Sequence, residues 1–234
     1  MKSPLGQKLG AELFGTFFVT LAATSVDVLY YTGAHVDFVS RWLARGFVTI
    51  AMVWAFTEIS GAHIDPAVSF GFLVRGVLPV GRMLAYWAAQ FGGAFAAAAL
   101  AYALWAHNVA LGASHPGPGY SYFVAFIAEI VATFLLMLVI LMTAEHEGTV
   151  GKNAALAVGF SVATCGFFLG PISGASMNPA RSIAPQIFGG EFDLIWMYAL
   201  GPCIGAALAS LAAFYLCGAP NESERRAALG GETS

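Results

Sequence analysis

Charged side chains are scarce in this sequence. Ten Lys and Arg and 13 Asp and Glu make up only 10% of the 234 residues, whereas hydrophobic residues make up 59%. Soluble domains contain about 25% charged residues, so this composition excludes an ordinary soluble domain. The mean hydropathy of +0.75 favours a lipid bilayer as the solvent.

Cysteine is also scarce, which excludes a disulfide-stapled domain. The three cysteines are odd in number and all lie in apolar segments: Cys165, Cys203 and Cys217. Their spacing matches no metal-binding pattern, so they are expected to be small buried residues. We expect no cofactor, no metal ion and no nucleic-acid partner.

Long apolar runs, by contrast, are abundant. A transmembrane helix needs about 20 mostly apolar residues, and six runs qualify: 9–31, 42–60, 83–106, 121–143, 153–172 and 194–217. The first run is too long for the apolar region of a cleavable signal peptide and lacks a cleavage site behind it. Six spans predict that both termini lie on one side of the membrane.

The positive charges predict which side that is. With the N-terminus inside, the internal segments contain Lys2, Lys8, Arg75, Arg82, Lys152, Arg225 and Arg226. The external loops contain Arg41 alone, and Arg45 and Arg181 lie at membrane depth. Because Lys and Arg are enriched in cytoplasmic loops, we expect a multi-pass protein of the cell (inner or plasma) membrane with both termini in the cytoplasm.

A polar motif occurs twice between the apolar runs. Residues 60–69 read SGAHIDPAVS and residues 173–182 read SGASMNPARS, 113 positions later. The starts of the first and fourth runs also match. Ala11-Glu12 and Ala128-Glu129 are each followed, after three intervening residues, by Thr-Phe. Each repeat contains three spans, and an odd number reverses the direction of the chain. The halves, about 8–106 and 121–217, are therefore predicted to be inverted copies.

Each motif has the start signal of a short helix. Asp65 and Asn178 are suitable capping residues, and Pro66 and Pro179 suit the first helical position, where no N–H is needed. Helices over 66–74 and 179–187 would each be about 14 Å long, too short to cross the roughly 30 Å hydrocarbon core. Two half-helices that meet N-terminus to N-terminus would cross it together and leave a water-filled passage at the junction.

Several charges inside the spans need partners, since each costs about 2.5–3.5 kcal/mol on insertion scales. Glu12 and Glu129 occupy equivalent places, and we expect each to accept hydrogen bonds from loop N–H groups, with direct contact to the permeant as the alternative. Asp27 and Arg45 should lie at similar depth on either side of a loop over 32–41 and form an ion pair. Glu58 is expected near the inner mouth with His63, either in a structural pairing or lining the vestibule.

The paired motifs Asp65-Pro66-Ala67 and Asn178-Pro179-Ala180, with the Ala-Glu and Thr-Phe starts, resemble the aquaporin and glycerol-channel (major intrinsic protein) family over about residues 8–217. The resemblance implies an all-α integral membrane fold of six transmembrane helices and two re-entrant half-helices. It also implies a pore in every subunit and a homotetramer. The chain is thus predicted to be one channel domain over 1–234, with a mobile polar tail over 218–234.

The same resemblance assigns four residues to the family's outer selectivity filter: Arg45, Gly166, Ala175 and Arg181. Water-selective members of the family have an aromatic residue, His, a small residue and Arg at these four positions. Glycerol facilitators have two aromatic residues, Gly and Arg there. This chain has no aromatic there, so we expect a wide, polar filter. It resembles members that pass larger neutral solutes, including undissociated metalloid acids such as arsenous acid. Two alternatives are open for Arg45: it either pairs with Asp27 and widens the mouth, or points inward and narrows it.

Asp65 replaces the family's usual Asn and leaves two alternatives open. It is either a tolerated helix cap with normal cation exclusion, or an ionised carboxylate that weakens the exclusion of cations and protons.

Two other functions are alternatives to a passive channel for water and small neutral solutes. A proton- or ion-coupled secondary transporter could use Asp65, Glu58 and Arg45 at its broken helices. An intramembrane hydrolase would need Ser173 or Ser176 as nucleophile, and His63 is the only intramembrane histidine available as its base. We therefore expect a channel and not an enzyme.

Overall fold

The structure is a computed structural model that describes residues 3–34, 36–105, 112–145 and 153–231. All regular elements in these residues are helices. They are α1 (Leu5–Tyr31), α2 (Phe38–Ser60), α3 (Pro66–Val74), α4 (Val80–Trp105), α5 (Tyr122–Glu145), α6 (Ala154–Ser173), α7 (Pro179–Gly189), α8 (Ile195–Cys217) and α9 (Glu222–Leu229).

Six of these helices are long and apolar enough to cross a membrane: α1, α2, α4, α5, α6 and α8. They correspond to the six apolar runs of the sequence. The two short helices α3 and α7 begin at the predicted Pro66 and Pro179, and α7 extends two residues past the predicted end, to Gly189.

The helix contacts repeat between the two halves, as an inverted duplication requires. The pair α1–α4 corresponds to α5–α8, the pair α1–α2 to α5–α6, and the pair α3–α8 to α7–α4. Two contacts lie on the axis that relates the halves, α2 with α6 and α3 with α7. The half-helices are therefore enclosed between the halves, each packed on the last long helix of the other half.

Glycines at equivalent positions allow the helices to approach closely. A side chain at Gly93 of α4 would collide with the backbone of Leu13 in α1, and one at Gly205 of α8 would collide with that of Ile130 in α5. Small residues at helix contacts are typical of membrane bundles, because they let backbones pack directly.

Two helices begin before the apolar runs of the sequence and include charged residues there. Lys8 lies inside α1. Arg41 lies in the first turn of α2, which begins at Phe38 and so replaces the end of the loop predicted over 32–41. Both side chains are buried and bonded to other parts of the protein. The apolar pattern could not show this, because partners distant in sequence satisfy these charges.

The polar tail, which the sequence predicts to be mobile, forms a helix over most of its described residues. Residues 222–229 form helix α9, in which Glu224 and Ala228 are fully buried. The helix packs against α5 and α2, on the side of the bundle that also contains the N-terminal segment. We refer to this side as the terminal side and to the other as the far side.

Candidate functional site

Two loops at the centre of the bundle connect the long helices to the half-helices. Helices α2 and α6 each end at a left-handed glycine, Gly61 (φ +90°) and Gly174 (φ +82°). Each following loop contains two non-glycine residues with positive φ: Ala62 and Ile64 in the first loop, and Ala175 and Met177 in the second. Such backbone costs roughly 1–3 kcal/mol per residue and persists only where its surroundings hold it.

Glu12 holds the first loop. Its carboxylate accepts hydrogen bonds from the backbone N–H groups of His63 (2.9 Å) and Ile64 (2.6 Å), and from the Ser60 hydroxyl (2.6 Å). The Gln90 amide, from α4, donates a fourth bond at 2.8 Å. The expected role of Glu12 as an acceptor for loop N–H groups agrees with this geometry.

Glu129 holds the second loop in the same way. It accepts from the N–H groups of Ser176 (2.9 Å) and Met177 (2.8 Å) and from the Ser173 hydroxyl (2.7 Å). Buried carboxylates are tolerated where several donors satisfy them, so the paired glutamates stabilise two strained loops at equivalent positions.

The half-helices meet at their N-termini. Asp65 caps α3 by accepting from the Ala67 N–H at 2.7 Å, and Asn178 caps α7 by accepting from the Arg181 N–H at 3.1 Å. The Asn178 amide also donates to the carbonyl oxygen of Ile64, 2.9 Å away, which joins the two motifs directly. Two partial positive charges of about +0.5 each therefore converge on the middle of the bundle.

The other motif residues pack the half-helices in place. Pro66 and Pro179 occupy the first helical positions, and Ala67 and Ala180 are fully buried. Ala180 belongs to a small cluster of alanines that joins α7 to α4.

A cavity runs past this junction. Its volume is about 130 Å³, room for roughly four water molecules at the about 30 Å³ that each takes in the liquid. Polar residues from both motifs and both ends of the bundle line it: Arg45, Thr49, Thr57, His63, Asp65, Thr143, Ser176, Asn178 and Arg181. Apolar side chains such as Val53, Leu136 and Val158 line much of the remaining wall.

Three arginines share one carboxylate at the far end of the cavity. Asp27 accepts from Arg41 (2.6 Å), from Arg181 (2.8 Å) and from Arg45. All four side chains are almost fully buried. The predicted Asp27–Arg45 pair is thus present within a larger cluster, whose formal charge is +2.

Arg45 pairs with Asp27 and also lines the cavity, so the two alternatives from the sequence are not exclusive. It donates to the Gly174 carbonyl at 3.0 Å, which ties α2 to the second loop. Arg181 is further held by the hydroxyl of Ser114, a residue 2% exposed. The described part of the connection before α5 therefore enters the bundle and fixes this arginine.

Of the four proposed filter residues, the structure brings together Arg45, Ala175 and Arg181 on the cavity wall, but not Gly166. A side chain at Gly166 would collide with the ring of Trp42, which is fully buried. The Arg45 guanidinium lies 4.3 Å from that ring. An aromatic residue, Trp42, thus lies behind Arg45 and one helical turn before it, outside the four positions that the family resemblance assigns to the filter.

His63 and Glu58 occupy different environments at the terminal side. His63 lines the cavity. Its Nδ1 atom forms a hydrogen bond with the Ser69 hydroxyl at 2.9 Å, and its Nε2–H group donates to the carbonyl oxygen of Ala228 at 3.0 Å. Glu58 is exposed, does not line the cavity, and lies beside Gly231. The two residues therefore do not form the shared vestibule that the sequence suggested.

Other residues that support the site were not identified from the sequence. The hydroxyls of Tyr86 and Tyr198, at equivalent places in the two halves, donate to the carbonyls of Ser60 (2.7 Å) and Ser173 (2.6 Å). Their 112-residue spacing repeats that of Gly93 and Gly205 and could have revealed them. In the loop before α5, His115 pairs with Glu191, and the His115 side chain is about one third exposed.

The comparisons with known proteins agree with one another. The sequence model of the family described as Major intrinsic protein matches residues 2–213. Aquaporin NIP1-4 of Oryza sativa subsp. japonica is 39% identical over 86% of this chain and 73% of its own length. Aquaporin NIP1-1 of Zea mays is 37% identical over 87% and 72%. The X-ray structure of the aquaglyceroporin from Plasmodium falciparum superposes with a TM-score of 0.81 at 21% identity, covering 92% of this chain and 98% of that one.

Proposed function

Because the chain belongs to the major intrinsic protein family, a family of membrane channels for water and small solutes and not of enzymes, we propose that it conducts passively and only neutral molecules. The proposed solutes are water, glycerol-type polyols and undissociated metalloid acids such as arsenous acid. The cavity between facing half-helices is the observation that supports a fixed pore most directly.

Electrostatics at two levels supports the exclusion of cations. The helix N-termini point their partial positive charges at the middle of the cavity, and the cluster of three arginines and Asp27 adds a formal +2 at its far end. A positive barrier in a low-dielectric wall repels cations and protons. A neutral hydroxylated solute can accept hydrogen bonds there without meeting that barrier.

The candidate filter consists of Arg45, Ala175 and Arg181. Gly166 contributes indirectly, because its lack of a side chain leaves room for the Trp42 ring beside Arg45. Ala175 contributes only a methyl group to the wall. We infer that this small residue gives solutes larger than water their room. The preference for metalloid acids rests on the filter pattern, in which no aromatic residue occupies the four assigned positions.

We further propose that the terminal side faces the cytoplasm of a cell membrane and that four copies form a homotetramer. The first proposal rests on the distribution of Lys and Arg. The second rests on the family resemblance and on the many large apolar side chains exposed on the helices, such as Phe123, Phe160 and Leu211. These side chains would contact lipid or neighbouring subunits.

The proposed function is tested by stopped-flow permeability of proteoliposomes to water, glycerol and arsenous acid, measured side by side. Ala175→Leu adds bulk to the cavity wall and should reduce the glycerol and arsenous acid permeabilities much more than that of water. Ala88→Leu is the matched control, because Ala88 is exposed on α4 and does not line the cavity. Equal loss for all three permeants in Ala175→Leu, or no loss, would contradict the filter assignment.

A further inference from the structure

We propose that the C-terminal helix α9 is a lid that closes the terminal-side mouth of the pore. This inference deepens the proposed function and rests on it, since a lid regulates flux only if the cavity conducts. The starting observation is that the cavity ends at this helix. Ala227 of α9 lines it together with residues at the ends of α2, α5 and α6, such as Thr57, Thr143 and Ala154.

The lid lies directly against the first loop. A Cβ atom at Gly61 would lie 3.1 Å from the carbonyl oxygen of Ala228 and even closer to that of Ala227. His63 donates a hydrogen bond to the Ala228 carbonyl at 3.0 Å. The turn after α9 is equally close, since a Cβ atom at Gly230 would lie 2.7 Å from the backbone of Ile59. The helix therefore touches the loop that carries one of the two pore motifs.

A buried ion pair anchors the start of the lid. Arg75, at the end of the half-helix α3, contacts both carboxylate oxygens of Glu224, with Nε to Oε1 at 3.1 Å, and both residues are fully buried. Arg75 also donates to the Gly218 carbonyl at 2.8 Å and lies 4.4 Å from the Phe214 ring. The anchor thus links the lid to a half-helix of the pore.

A lysine from the other end of the chain anchors the end of the lid. Lys8 of α1 donates to the carbonyls of Leu229 and Gly230, the second at 3.5 Å. A carbonyl group at a helix C-terminus is an orphan acceptor and attracts a cation. The first and last transmembrane segments of the chain, and the half-helix α3, are thus all connected to the lid.

Helix α9 has little stability of its own. It contains eight residues, ESERRAAL, with an Asn221 cap, and isolated helices shorter than about 12–15 residues are marginal in water. Its order therefore depends on docking to the mouth. Breaking the Arg75–Glu224 contact should both release α9 from the mouth and unfold it. The mouth then has two states: it is closed when the helix is docked and open when the helix is not.

The test compares water permeability of proteoliposomes, per reconstituted channel, for the native chain and three variants. Glu224→Gln removes the charge that pairs with Arg75, and deletion of residues 219–234 removes the lid. Glu222→Gln is the matched control on the same helix, because Glu222 is exposed. We expect several-fold higher permeability for the deletion, an increase for Glu224→Gln, and the native value for Glu222→Gln.

Two results would overturn the lid. One is equal permeability of the native chain and the folded deletion variant. The other is an increase in Glu222→Gln as large as that in Glu224→Gln, which would indicate a general charge effect. Failure of the proposed function would look different: neither the native chain nor the folded deletion variant would exceed the permeability of protein-free liposomes.

Discussion

The Asp27 carboxylate partly neutralises the positive charge of a buried arginine cluster. It is 1% exposed and is the common partner of Arg41, Arg45 and Arg181. The Arg41 guanidinium also lies 4.6 Å from the Trp42 ring, so that aromatic packing supports part of the cluster. Without the carboxylate, three buried guanidinium groups would face one another in a low-dielectric site.

Replacing this carboxylate should therefore be costly. Asp27→Asn is expected to destabilise the protein by about 3–5 kcal/mol, the typical cost of breaking a buried ion pair, and to lower the folded yield sharply. Thermal unfolding in detergent and yield by size-exclusion chromatography would measure this. Asp37→Asn is the control, since Asp37 is exposed and Asn also caps a helix well. If Asp27→Asn behaved like Asp37→Asn, the cluster would not form as described.

Asp65 acts as a helix cap through one carboxylate oxygen. An Asn side chain can accept the same bond from the Ala67 N–H with its amide oxygen. The cluster charge of +2 at the far end of the cavity is independent of this residue. We therefore favour the first of the two alternatives left open by the sequence, a tolerated cap variant with normal cation exclusion.

Asp65→Asn should accordingly leave both water permeability and proton leak near their native values. The measurement is the decay of a pH gradient across proteoliposomes of the native chain and the variant. A clearly lower leak in Asp65→Asn would instead show that the native carboxylate weakens proton exclusion.

The sequence predicted the residues of this site unevenly. It identified Asp27 with Arg45, because both are charges within apolar runs and each needs a partner. It did not identify Arg41, Ser114 or Trp42, because these contacts depend on how α2 and the loop before α5 fold onto the second motif. A single tryptophan in an apolar run carries no signal that it will fill the space left by a distant glycine.

Among the elements, the two loops before the half-helices depend most on one side chain each. Glu12 accepts four hydrogen bonds and Glu129 accepts three, and both sets include two backbone N–H groups. The loops contain positive φ at four non-glycine residues, so losing the acceptor should let them relax away from the cavity.

Glu12→Gln and Glu129→Gln test this dependence. Each places an NH2 group against N–H donors, and hydrogen bonds to charged groups are worth about 1.5–3 kcal/mol each. We expect lower thermal stability and reduced water permeability in both, with the larger effect in Glu12→Gln because it has the additional donor Gln90. Glu222→Gln, on the exposed face of α9, should change neither property. Native stability in both loop variants would contradict the role assigned to these carboxylates.

The sequence predicted the half-helices better than it predicted the lid. Caps and prolines at 65–66 and 178–179 are local signals, and both helices begin where these signals predict. Helix α9 has a capping Asn221, but its polar composition is typical of a mobile tail. It is ordered through contacts with Arg75, His63 and Lys8, which lie about 150 or more positions earlier in the chain.

At the scale of the whole molecule, an inverted duplication places both motifs at one point. The contacts of one half repeat in the other, and the Asn178 amide reaches the Ile64 carbonyl across the axis. The sequence predicted this architecture, because the 113-residue repeat and the odd number of spans per half leave few other arrangements. It could not predict the volume of the cavity, since that depends on side-chain packing between the halves.

The most direct test of a passive water-filled path is the temperature dependence of osmotic water flux, measured in proteoliposomes of the native chain and of the variant that lacks residues 219–234. We expect flux well above that of protein-free liposomes, with a low activation energy and no response to a protonophore. An activation energy as high as that of the bare bilayer, or flux abolished by the protonophore, would contradict a passive pore at the junction of the two half-helices.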